Sequence, residues 1–210
     1  MPSESSEMYI QTVFRLTEEK PSASISEIAA SLGYSLSTVS EKVKHLTCDG
    51  YLEHEWREGV KLSEKGRISA CKMLRKRRLI ELFLYRFANY GLHEVHEEAC
   101  RLEHVISERL ADAFDAMLGS PQCDPHGHLI PSKEGEMQQR NLRSLAETEN
   151  GTTVVIGALH TTDPELLKYI SDMGLVPDVS CRLIDKAPFN GPIRICQRSE
   201  ERRVGKECRS

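Results

Sequence analysis

Two serine caps and two glycine stops, placed close together, constrain this chain most. Ser24-Ile25-Ser26-Glu27 is a capping box that opens a helix through Leu32, and Gly33 supplies the left-handed stop. Ser35 then caps a second helix running to about Asp49, closed by Gly50. Its apolar positions, Leu36, Val39, Val43 and Leu46, recur at helical spacing. That leaves Ser35 at the cap and Ser37, Thr38, Ser40, Glu41, Lys42 and Lys44 outward. Small hydroxyl residues at a helix start let the backbone approach phosphates and base edges, as a recognition helix must. Tyr51 to Glu55, a turn at Arg57-Glu58-Gly59 and Val60-Lys61-Leu62 then read as a two-stranded wing. The pattern predicts a winged helix-turn-helix over residues 1–63, preceded by a first helix carrying Met8, Ile10, Val13, Phe14 and Leu16.

Downstream, Ser63 caps a long helix from Glu64 to about Asn89, Gly91 breaks it, and a second long helix is expected from about His93 to Leu118. These two helices expose more apolar surface than a monomer readily hides, which makes them the natural dimerisation element and predicts a palindromic target. On the second helix His96, Cys100, Glu103 and His104 stand at i, i+4, i+7 and i+8. That spacing brings a thiolate, a carboxylate and two imidazoles onto one stripe, a donor set suited to a divalent metal.

The formal net charge of −4 looks wrong for a DNA binder until it is divided along the chain. Residues 1–78 carry 13 Lys/Arg against 11 Asp/Glu, residues 79–150 carry 6 against 13, and residues 151–210 carry 9 against 8. The acidic middle suits cation binding, and the basic front, ending in Arg75-Lys76-Arg77-Arg78, suits phosphate. Seven cysteines form no C-x-x-C pair and are spread through expected helices and strands, which argues for reduced thiols rather than a disulfide framework. No targeting segment and no uncharged stretch of membrane-spanning length is present, so a cytoplasmic protein without a membrane partner is expected.

Residues 6 to about 135 resemble the diphtheria-toxin-repressor family of iron- and manganese-dependent transcriptional repressors. The segments that carry the resemblance are Ser6-Glu7-Met8-Tyr9, the helix-turn-helix, the basic stretch from Arg75 to Leu82, and Val95-His96-Glu97-Glu98-Ala99-Cys100-Arg101-Leu102-Glu103-His104. The resemblance implies a primary metal site from Met8, Cys100, Glu103 and His104. Met8, on the first helix, would couple metal to the DNA-binding domain. It also implies an ancillary site drawing on Glu81, His96 and a histidine four residues before the glutamate. Here that position is Arg77. A guanidinium cannot ligate, so the ancillary site is incomplete, rebuilt from other groups, or replaced by an Arg77–Glu81 ion pair. A thioether and a thiolate beside one carboxylate and one imidazole favour Fe(II), then Mn(II), with other divalent transition metals binding in vitro.

The expected domains are the winged helix (1–63), a helical metal-binding and dimerisation domain (64–135), a linker (136–150), and an SH3-like, FeoA-like domain (151–198). Residues 199–210 are heavily charged, lack strand alternation and read as a non-native tail that leaves the barrel incomplete. The fold is thus mainly α with small β parts. Cys123, His126 and His128 lie in a Pro/Gly-rich connector whose Pro-His-Gly-x-x-Ile-Pro counterpart in the family is a structural turn. His160, Asp163 and Glu165 are further available donors. Two other classes compete. A winged-helix repressor answering an organic ligand would bind DNA regardless of chelators. A metalloenzyme would need an open coordination position, a general base and a cleft, none of which the residues suggest.

Overall fold

The computed structural model describes residues 2–18, 20–55, 58–188, 191–197, 200–204 and 208–209. The chain divides into two compact units, Met1–Arg75 with Pro131–Met137, and Lys76–Ile130 with Gln138–Ser210.

The first unit is a winged helix. Helix α1 (Glu4–Leu16) is capped by Ser3, α2 (Ile25–Leu32) by the Ser24/Glu27 capping box, and α3 (Leu36–Cys48) by Ser35. Gly33 ends α2 at φ 71°, a conformation that only glycine adopts without strain. Strands β1 (Leu52–Glu55) and β2 (Gly59–Leu62) pair antiparallel, Leu52 opposite Leu62 and Glu55 opposite Gly59. Arg57, expected in the turn between them, lies outside the described residues. Tyr9, Ile10 and Val13 of α1 close over Ile28, Val39, Val43, Leu46, Leu52 and Val60 to make one core. Leu36 is the exception to the expected apolar face of α3. It sits in the first turn, beyond the edge of that core, and is 58% exposed.

Helix α4 (Glu64–Phe87) starts where the Ser63 hydroxyl accepts the Gly66 N–H at 3.0 Å and itself donates to the Gly50 carbonyl. Gly66 is required there: a Cβ would lie 2.0 Å from the Tyr51 carbonyl oxygen. The expected second long helix is in fact two, α5 (Val95–Leu102) and α6 (Glu108–Met117). Ser107 breaks the run because its side chain caps the Leu110 N–H and starts α6 afresh. Within the second unit, Leu79 and Leu82 pack with Ala111 and Leu118, while Ile80 and Leu84 pack with Val95 and Ala99.

The C-terminal part of the second unit has its own core, including Leu145, Ile156, Leu159, Leu167, Ile170, Leu183, Ile193 and Ile195. Strands β3 (Thr153–Val155), β5 (Ser180–Lys186), β6 (Ile193–Gln197) and β7 (Glu200–Val204) form one antiparallel sheet. Strands β4 (Ala158–Leu159) and β8 (Cys208–Arg209) form a separate pair, so the barrel is not closed. Helix α7 (Pro164–Asp172) lies between them in the chain. The expectation that residues 199–210 lack strands is corrected, for β7 and β8 fall there. Strand β7 pairs along the side of β6 that β5 leaves open, and such backbone pairing does not require side-chain alternation.

Candidate metal centre and DNA-binding face

Helix α3 presents the residues expected to meet DNA. Ser35, Ser37, Thr38, Ser40, Glu41 and Lys44 are exposed, and Lys42 is half-buried. The hydroxyls of Ser35, Ser37 and Thr38 interlock at 2.8–2.9 Å around the cap. No acidic residue occupies the first turn of α3, so the positive end of its dipole faces outward uncompensated.

The basic run is not such a face. Lys76 is buried, pairs with Glu108 at 2.9 Å and donates to the Ile106 carbonyl. Arg77 faces Glu103, and Arg78 lies 3.5 Å from Asp124 and hydrogen-bonds the Leu129 carbonyl. These three cations hold the second unit together instead of meeting phosphate.

The sequence stripe does not lie on one continuous helix, and its members meet as two pairs, His96 with Cys100 and Glu103 with His104. His96 and Cys100 sit on α5, Glu103 is its C-terminal cap, and His104 follows on the turn. Helix α4 contributes Arg77 and Glu81 from the opposite side. His96 Nδ1 lies 2.9 Å from Glu81 Oε1, and its Nε2 lies 3.6 Å from Cys100 Sγ. Glu103 Oε1 is 3.6 Å from His104 Nε2 and 3.9 Å from Arg77 Nη1. Of the three alternatives for Arg77, the Arg77–Glu81 pair is therefore not formed. Glu81 turns to His96, and Arg77 turns to Glu103.

The electrostatics follow from this arrangement. Hydrogen bonding to Cys100, then to Glu81, pushes the His96 imidazole up to about 10 against the cost of burial. Burial raises the Glu103 carboxyl despite the opposing charges of Arg77 and His104. Glu103 is only 4% exposed, yet its Oε2 has no hydrogen-bond partner among the described residues. A buried carboxylate with one oxygen unpartnered and the other beside an imidazole has the form of a metal ligand. Met8 is half-buried on α1, in the first unit.

Among the described residues, three donor atoms converge within 4.8 Å of one another in Asp124, His126 and His128. The sequence reading grouped Cys123 with His126 and His128 in a structural turn and did not single out Asp124. Asp124 Oδ1 accepts the N–H groups of His126 and His128 at 2.8 and 2.9 Å. Its Oδ2 faces Arg78 and His128, and His126 Nε2 is bound to the Leu92 carbonyl. With both oxygens engaged and a guanidinium alongside, this is a lock on the connector. His160 packs its ring edge-on against His128, and Asp163 caps α7 by accepting from Glu165 and Leu166. Cys48, Cys71, Cys100, Cys123, Cys181 and Cys196 are free thiols, and among the described residues no helix is long and apolar enough to cross a membrane.

A winged helix joined in one chain to a carboxylate, thiol and imidazole cluster defines a metal-dependent DNA-binding regulator. Residues 1–60 match the model of the iron dependent repressor N-terminal DNA binding domain, and residues 63–132 that of the iron dependent repressor metal binding and dimerisation domain. Residues 143–207 match the FeoA domain. The chain is 33% identical over 187 residues to the iron-dependent repressor IdeR of Mycobacterium bovis, covering 83% of this chain and 81% of that protein. It is 33% identical over 182 residues to the diphtheria toxin repressor of Corynebacterium glutamicum, covering 82% and 80%. A solved manganese-dependent transcriptional repressor in complex with manganese superposes with a TM-score of 0.84 at 31% identity, over 97% of this chain and 98% of that one. The chain belongs to the iron-dependent repressor family of metal-dependent transcriptional regulators.

Proposed function

We propose that this chain is a non-catalytic repressor that acts in the cytoplasm as a homodimer, closing on a palindromic operator when a divalent metal is bound. Met8, Cys100, Glu103 and His104 are the primary ligands, with Glu81 and His96 beside them. The observation that carries the reading is the buried, open Glu103 Oε2 of a carboxylate whose Oε1 lies 3.6 Å from His104 Nε2. These residues fit a divalent transition metal, which supplies the positive charge that their buried anionic groups lack. The soft thioether and thiolate donors favour Fe(II), followed by Mn(II).

The chain's own groups then do the rest. Glu81 holds the His96 ring, His96 holds the Cys100 sulfur, and Arg77 and His104 hold one Glu103 oxygen, so the donors are ordered in advance. Met8 brings a donor from α1, so that metal affinity is linked to the state of the DNA-binding unit. Val105, 73% exposed, and Met117, 61% exposed, leave an apolar face on the α5–α6 region that suits pairing with a second copy. Ser35, Ser37, Thr38, Ser40 and Glu41 face base edges, and Lys42 and Lys44 face phosphates.

The test is anaerobic selection of genomic fragments by the purified protein with Fe(II), with Mn(II) and with chelator. A palindrome enriched only with metal is the expected result, and its relative yield ranks the two ions. Equal enrichment with chelator would overturn metal control and favour a repressor with an organic signal.

A further inference from the structure

Leu36 is the large apolar side chain of α3 that the winged-helix core leaves out. It is the first residue of the helix, directly after the Ser35 cap, and it is 58% exposed, whereas Val39, Val43 and Leu46 are buried. Helix side chains lean toward the N-terminal end of their own helix. At the first position no earlier turn lies beneath them, so the isobutyl group of Leu36 extends past the start of α3 instead of onto the core. A leucine there adds nothing to the cap, where proline and acidic residues are the favoured neighbours.

The backbone that carries Leu36 is held on both sides. Val39, fully buried, donates its N–H to the Ser35 carbonyl at 3.1 Å. The Tyr34 ring stacks on the buried Tyr9 ring with centroids 6.2 Å apart, and the Tyr34 N–H donates to the Ala29 carbonyl. The flanking hydroxyls are partly engaged with one another: Ser35 Oγ accepts the Thr38 N–H and lies 2.9 Å from Ser37 Oγ and 2.8 Å from Thr38 Oγ1. Leu36 stands among these polar groups as a rigidly presented apolar surface.

The chemistry of the bases decides what that surface can read. In a helix-turn-helix the second helix enters the major groove with its N-terminal residues at the base edges. Every base pair offers hydrogen-bonding atoms there, and thymine alone adds a methyl group, at C5. Leucine makes no hydrogen bond, and set over a polar base edge it displaces water without replacing the lost partner. The thymine methyl is the group it fits.

We propose that Leu36 is a specificity-determining residue that packs against the C5-methyl of one thymine in each half-site of the operator. This role rests on α3 being the DNA-contacting helix, as read above, and is independent of which metal ion is bound.

The test begins with duplexes selected from a random library by the full-length protein, once with Mn(II) and once with chelator. In the selected sequence each thymine and its symmetry mate are replaced by uracil, which keeps the base pair and removes the methyl. At one such pair the native protein should lose about 15-fold in affinity, about fourfold for each buried methyl-sized group. Leu36→Ala should bind the thymine and uracil duplexes equally at that pair, whereas Leu36→Met, which keeps an apolar contact, should still prefer thymine. Because Leu36 lies outside the core, Leu36→Ala should keep the native melting temperature and metal titration. A selected half-site with no uracil-sensitive thymine, or equal sensitivity in Leu36→Ala and the native protein, would overturn the role of Leu36 alone. Selection of no sequence under either condition would overturn the DNA-contacting reading of α3 and the role of Leu36 with it. Selection of one sequence under both conditions would overturn metal control only, and the uracil comparison on that sequence then decides for Leu36.

Discussion

His96 Nδ1 on α5 lies 2.9 Å from Glu81 Oε1 on α4, so an imidazole and a buried carboxylate share a proton across the helix pair. The shared proton makes the pairing of these helices dependent on pH. The His96 pKa is raised from 6.5 to about 10, by Cys100 first and Glu81 second. Its contribution to stability is therefore complete below about pH 6.5 and is lost as pH rises through about 10. The ring is 41% exposed, so the effect is a modest one, screened by solvent. In chelator, native protein should be more stable to urea than His96→Gln at pH 6, and the two should converge towards pH 10. A gap that does not change with pH would remove this role for the His96 proton.

Glu103 is expected to serve function at the expense of stability. Burial raises its carboxyl, so folding works against its ionised form. Glu103→Gln should lower metal affinity at least about 100-fold, a loss larger than the removal of a supporting group brings. It should leave the dimer intact and should not lower the melting temperature in chelator. His104→Ala should abolish metal-stimulated DNA binding in the same way. Calorimetric metal titration with DNA-binding assays on each variant checks both, and a retained metal response in either removes that residue from the ligand set.

Asp124 should behave as a structural anchor. Burial opposes its ionisation, but His128, Arg78 and His126 outweigh burial and hold the carboxyl below its ordinary value of 3.8. Its stabilising effect is thus present above that pH and fades as pH falls below it. Asp124→Ala deletes two backbone acceptor contacts and removes the carboxylate that faces Arg78, a loss of about 3 kcal/mol in urea unfolding at pH 7. The number of metal ions bound per protomer should not change.

On α3, Lys44 and Glu41 should separate affinity from sequence choice. Lys44→Ala should weaken binding evenly across DNA sequences and reduce the slope of log affinity against log salt by about 1. Glu41 is exposed and can accept from the cytosine amino group, so Glu41→Gln should shift preference from cytosine towards adenine at one position per half-site. That shift is worth about 1–3 kcal/mol in a competition assay. An unchanged base preference in Glu41→Gln would take that side chain out of the groove.

The winged helix was legible because caps, stops and apolar period agree on it: Ser24, Gly33, Ser35 and Gly50 each stand at a helix boundary. The contact between His96 and Cys100 was legible because helical spacing brings them together whatever follows. The break after Leu102 was not, because the apolar period runs on through Ile106 and Leu110, and only the Ser107 cap marks the restart. Nor was the fate of Lys76, Arg77 and Arg78, since a basic run reads as a solvated or phosphate-binding surface until its partners Glu108, Glu103 and Asp124, distant in sequence, are placed. Asp124 was missed as the centre of the connector because backbone N–H groups, which no sequence pattern displays, are its main partners.

The interruption between α5 and α6 gives the donors unequal freedom. Cys100 is carried on a helix, where its torsions are set by the hydrogen-bond ladder, whereas Glu103 and His104 ride on the cap and the turn that follows. Small changes of backbone torsion there can spread or narrow the carboxylate and imidazole without bending α5. In the proposed metal site, tolerance for ions of different radius would then be a property of the five residues of backbone between two helices as much as of the donor side chains.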